Sequence, residues 1–114
     1  MKAVQKVSPK LYAYRITWSA EDEEFVGTCA EFPSLSWLEE DQAAALQGIC
    51  ELVADTIKEL EQTGESVPKP LSERNFSGKF QVRIPPSLHR ELATKAAEEN
   101  VSLNRLVGRK LATA

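Results

Sequence analysis

Side chains able to do covalent or metal chemistry are few in this sequence, and their spacing gives them no partners. His89 is the only histidine. It falls near the start of a helical pattern, and no serine or cysteine has a base and an orienting group around it, as nucleophilic catalysis requires. Cys29 and Cys50 lie in apolar patterns and read as reduced core residues, not as a disulfide framework. There is no zinc spacing, phosphate-binding glycine loop or dinucleotide fingerprint. No catalytic residue, metal or cofactor is expected, and the chain is not read as an enzyme. Polar side chains of another kind stand at Lys79, Gln81 and Arg83, every second position. Such spacing needs a strand to present them.

Phe80, Val82 and Ile84 alternate with those three residues, the period of a strand with one apolar and one polar face. Pro85 and Pro86 end it, since neither donates a backbone hydrogen bond, and Pro86 suits the first turn of a helix. Leu88, Leu92, Ala96 and Ala97 then share a helical face over about four turns. Asn100 is placed as a left-handed stop and Ser102 as an N-cap. Leu103, Leu106, Val107 and Leu111 mark a second amphipathic helix. A strand and two helices over roughly 35 residues bury too little to stand alone, so dimerisation is expected.

These segments, Phe80 to Pro85, Leu88 to Leu92 and Ser102 to Val107, resemble the ribbon-helix-helix DNA-binding repressors. The resemblance implies that two chains pair their strands into an antiparallel ribbon lying in the major groove. By position, Lys79, Gln81 and Arg83 would read bases, Gln pairing with adenine and Arg or Lys with guanine. Ser102, Leu103 and Asn104 would hold a phosphate at the positive end of the second helix. Phe80, Val82, Ile84, Leu88, Leu92, Leu103, Leu106 and Val107 would form the dimer core. The bland reading of the same residues is an edge strand followed by an ordinary helical hairpin.

Charge divides the 114 residues into two parts. Residues 1–70 hold six Lys and Arg against thirteen Asp and Glu, a net of −7, whereas residues 71–114 hold eight against four, a net of +4. A basic tail on an acidic body suits a nucleic-acid module joined to something else. No stretch is apolar enough to span a membrane and the N-terminus lacks a signal-peptide core, so a cytoplasmic location is expected.

Within the acidic part, Tyr12, Tyr14, Ile16 and Trp18 alternate along a first strand over residues 11–18. Glu21-Asp22-Glu23-Glu24 reads as a solvated hairpin turn, Phe25 to Ala30 as the returning strand, and Leu35 to Leu38 as a short third strand. Gly27 is placed at a bulge or a close neighbour. Asp41 is expected to cap a long helix carrying Leu46, Ile49, Cys50, Val53, Ile57 and Leu60, which Gly64 stops. Residues 65–78, with Pro68, Pro70 and Gly78, read as a linker.

The order strand, strand, strand, helix, with Glu31-Phe32-Pro33-Ser34-Leu35-Ser36 before the helix and a Pro-containing exit after it, resembles the HicB antitoxin domain. The implied architecture is α+β, with a partial ribonuclease H-like module at 1–64, a linker at 65–78 and a ribbon-helix-helix domain at 79–114. Many members carry Gly where this chain has Ser34, or a small residue where it has Trp37. No nuclease activity is implied, because that chemistry needs several carboxylates converging on metal ions and only Glu31 lies near a strand end. The resemblance implies a HicA-like partner, a small basic toxin that cleaves messenger RNA, together with autoregulation at operator DNA. An acidic body suits such a partner. A homodimer through the C-terminal domain is expected, with a higher oligomer where the N-terminal modules also pair. Two other readings stay open: an orphan regulator without a toxin, and an interaction protein whose tail only dimerises.

Overall fold

A computed structural model describes residues 8–114. The chain is α+β, with a three-stranded antiparallel sheet and three α-helices among the described residues. It divides into two compact units, Met1–Phe76 and Ser77–Ala114.

In the first unit β1 (Tyr14–Ser19), β2 (Glu24–Cys29) and β3 (Ser36–Glu39) form a meander in the order β1-β2-β3. The acidic turn reverses the chain between β1 and β2, with Glu23 at φ 55. Tyr12, expected in the first strand, instead follows a 3-10 turn over Pro9–Leu11, because Pro9 opens that turn after the Ser8 cap. The register sets Tyr14 opposite Cys29, Ile16 opposite Gly27 and Trp18 opposite Phe25. These residues therefore share one face of the sheet.

Across that face lies α1 (Gln42–Thr63). The Asp41 carboxylate accepts the Ala44 N–H at 3.0 Å, satisfying a donor that the first turn leaves orphaned. Gly64 ends the helix at φ 76. Its N–H bonds Glu61 and that of Glu65 bonds Leu60, the paired contacts of a Schellman stop. Between the caps, Ile49, Val53 and Ile57 are buried with Tyr12, Cys29 and Phe32. Ile49 and Val53 are fully buried, each burial stabilising by about 1.5–3 kcal/mol.

The helix lies very close to β2. A Cβ built on Gly27 would stand 2.8 Å from the Ala45 carbonyl oxygen and 2.9 Å from an Ile49 methyl. The backbone of α1 cannot retreat without opening the core, so Gly27→Ala is expected to destabilise the unit by about 2 kcal/mol. Urea unfolding read by far-UV circular dichroism measures this; an unchanged midpoint would show that the helix moves freely. Gly48 performs the same service toward β3, where the Trp37 ring occupies the place of its missing side chain. The bulky Trp37 is thus accommodated by a glycine eleven positions on, at a helical site where glycine otherwise costs about 1 kcal/mol.

Residues 65–78 differ from a free linker. Val67 packs against the core and Pro70 is fully buried. Tyr12 donates its hydroxyl proton to the Pro68 carbonyl at 2.6 Å, and Ser72 donates to the Leu11 carbonyl at 2.9 Å. The Glu31 carboxylate accepts the N–H of Ala13 at 3.0 Å and of Leu71 at 2.8 Å. The exit segment is therefore clasped to the start of β1, and the boundary between units falls after Phe76.

The second unit consists of α2 (Pro86–Glu98) and α3 (Leu103–Ala112) preceded by residues 77–85. Asn100 adopts φ 57. The N–H groups of Asn100 and Val101 bond Ala97 and Ala96, closing α2 as Gly64 closes α1. The Ser102 hydroxyl accepts the Arg105 N–H at 3.1 Å and caps α3. Residues 80–84, expected as a strand, form none here. A ladder needs a hydrogen-bonded neighbour, and none lies beside this segment among the described residues.

Candidate nucleic-acid interface

In the second unit only Ala96 and Leu106 are buried apolar residues. Leu92, Leu103 and Val107 are half-buried. Phe80 is 74% exposed and Val82 62%, and Ile84, Leu88 and Leu111 are also exposed. Together these side chains line an open groove of about 770 Å³, bordered by Lys79, His89, Asn104 and Lys110. These apolar side chains are left uncovered by the rest of the unit. Seven of the eight residues named for a dimer core thus line one hollow, and the eighth, Leu106, is buried.

Lys79, Gln81 and Arg83 are all exposed. Their alternation with the groove-lining Phe80, Val82 and Ile84 separates a polar set from an apolar set along one short segment. At the start of α3 the Ser102 side chain and carbonyl take the Arg105 and Leu106 N–H groups. The first two helical N–H groups, of Leu103 and Asn104, are the ones an external acceptor would meet. The last turn carries Arg109 and Lys110, and an exposed Arg109–Glu99 ion pair at 2.6 Å joins the two helices. Counted over Ser77–Ala114, seven Lys and Arg stand against three Glu, a net of +4.

The titratable groups of the first unit have structural surroundings. Burial pushes the Cys29 thiol and the Tyr14 phenol up. Glu31, which sequence reading weighed only as an isolated carboxylate, is buried and committed to backbone donors. Its role had no local signal, because Leu71 lies 40 positions away. Among the described residues no three His, Cys, Asp or Glu side chains are grouped so as to hold a metal ion, and no helix is long and apolar enough to cross a membrane.

Residues 62–111 match the model of the HicB family. No curated protein and no solved structure matches the chain. The matched span begins at the end of α1 and takes in the exit segment and nearly all of the second unit, so the likeness is carried by the C-terminal part of the chain. Over that span of 50 of the 114 residues the chain is similar to the HicB family.

Proposed function

We propose that the chain is an antitoxin of the HicB type that binds operator DNA as a dimer and neutralises a small basic HicA-like toxin. The observation that carries the DNA-binding half is the uncovered apolar groove continuous with Phe80, Val82 and Ile84. Two chains pairing residues 79–85 antiparallel would lay those six side chains over both helical pairs. The same pairing turns Lys79, Gln81 and Arg83 of both chains outward as a two-stranded ribbon of the width the major groove admits. The α3 N-termini then meet flanking phosphates, which fix the register without reading sequence. In the other half, the net charge of −7 on the first unit speeds and orients encounter with a basic protein.

The deciding experiment is a salt-dependent titration against DNA from upstream of the gene, beside scrambled DNA, with Arg83→Ala as control. The wild type is expected to prefer the operator, and Arg83→Ala to reduce that preference by about 10-fold to 100-fold, the discrimination carried by a bidentate contact. Binding to both DNAs should weaken steeply with salt. A preference indifferent to Arg83 would reject the ribbon as the reading element. A second reading, an orphan regulator of this architecture without a toxin, draws on the family match beginning at residue 62, which leaves the sheet and most of α1 outside it. It takes the place of the first if the chain binds its operator and no neighbouring basic protein forms a complex with it.

A further inference from the structure

We propose that the end of the sheet carrying Trp18 and Phe25 is the surface on which the first unit receives a basic protein partner; this rests on the antitoxin reading and assigns it a place. Trp18 lies opposite Phe25, and Phe25 opposite Glu39, so the three form one row across the strands. The two rings meet edge to face at 5.0 Å, yet Trp18 is 55% exposed. On α1, Gly48 meets Trp37 of β3, and Leu46, in the early turns of the same helix, is also exposed.

Around this apolar spot the topology gathers carboxylates. The β1–β2 turn brings Glu21, Asp22, Glu23 and Glu24 to the same end as Glu39, Glu40 and Asp41, where β3 passes into α1. From residue 16 to residue 57 there are ten Asp and Glu and no Lys or Arg. No cation of this stretch neutralises the rim. An exposed tryptophan within a ring of one charge has the anatomy of a binding hot spot, an aromatic anchor with a polar border that steers the encounter. A second copy of the chain is a poor occupant, since it would set seven carboxylates against seven. A cationic face with an apolar centre is the complement.

The test uses the full chain and a small basic protein encoded beside its gene, in a catalytically inactive form. Trp18 and Trp37 are the only tryptophans, so complex formation is expected to shift the emission of Trp18 to shorter wavelength. Trp18→Ala should weaken the complex at least about 30-fold, chiefly through faster dissociation. The pair Glu21→Lys and Glu40→Lys should slow association about 10-fold and flatten its salt dependence. Unchanged thermal midpoints exclude loss of the fold. Wild-type affinity in both variants overturns the surface while leaving the antitoxin reading intact. No such neighbour, or no complex with the wild type, overturns that reading and the partner named here together. A fall in the mass of the free chain on Trp18→Ala would instead identify a second copy as the occupant, against the proposal.

Discussion

Glu31→Ala should destabilise the first unit by about 3 kcal/mol, because two backbone donors in a partly buried setting lose their acceptor at once. For a unit of this size that corresponds to a fall in Tm of roughly 12–24 °C, readable by calorimetry. Burial pushes the Glu31 carboxyl up, but the N–H groups of Leu71 and Ala13, its own backbone N–H and the Cys29 thiol together outweigh this and hold it below the usual carboxylate range. A carboxylate whose pKa is lower folded than unfolded stabilises the fold fully above the unfolded value, and that stabilisation is lost as pH falls through the folded one. Wild-type stability should therefore decline below the ordinary value of 4.5. Glu31→Gln, which keeps one acceptor oxygen and cannot ionise, should be less stable near neutrality and show a shallower acid decline. Parallel stability curves for wild type and Glu31→Gln below pH 4.5 would contradict the clasp as the titrating element.

The second large effect belongs to the proposed dimer. Val82 is 62% exposed in the single chain, so an aspartate there costs the isolated unit little. Across a paired ribbon the same substitution buries two carboxylates without partners, each desolvation costing several kcal/mol. Val82→Asp is expected to turn a dimer into a monomer at micromolar concentration and to lower operator affinity by more than about 100-fold, the loss corresponding to 2.7 kcal/mol or more. Sedimentation equilibrium decides it. A variant that remains dimeric would mean that the chains meet elsewhere. Val82→Ile, which keeps the apolar face, should behave as the wild type.

The sequence was most legible where a single residue has one local job. Asp41 and Ser102 accept the N–H groups that helix starts expose, and Gly64 and Asn100 take the left-handed conformation that helix ends need. The three strands follow from alternation to within a few residues, except that Pro9 diverts Leu11 and Tyr12 out of the first. The spacing around Gly27 points to a bulge or a close neighbour, and α1 is that neighbour. What stayed hidden is held by contacts between distant positions. The exit segment has no periodicity, and its order comes from bonds spanning 40 to 61 residues. Gly48 was silent for a related reason, since nothing in its own neighbourhood points to Trp37. The segment Phe80 to Ile84 is a third case: its alternation is plain, but no hydrogen-bonded neighbour lies beside it among the described residues to make it a strand.

The clasp at Glu31 also sets where chains of this kind can be recombined. A crossover at Gly64, the visible end of the long helix, would strip Glu31 of the Leu71 N–H, Tyr12 of the Pro68 carbonyl and Leu11 of the Ser72 hydroxyl. The donor's sheet would be left with an open seam. A crossover between Asn75 and Gly78 leaves all three tethers with the unit they serve, so a lineage can exchange its C-terminal unit there for an unrelated one without rebuilding the rest.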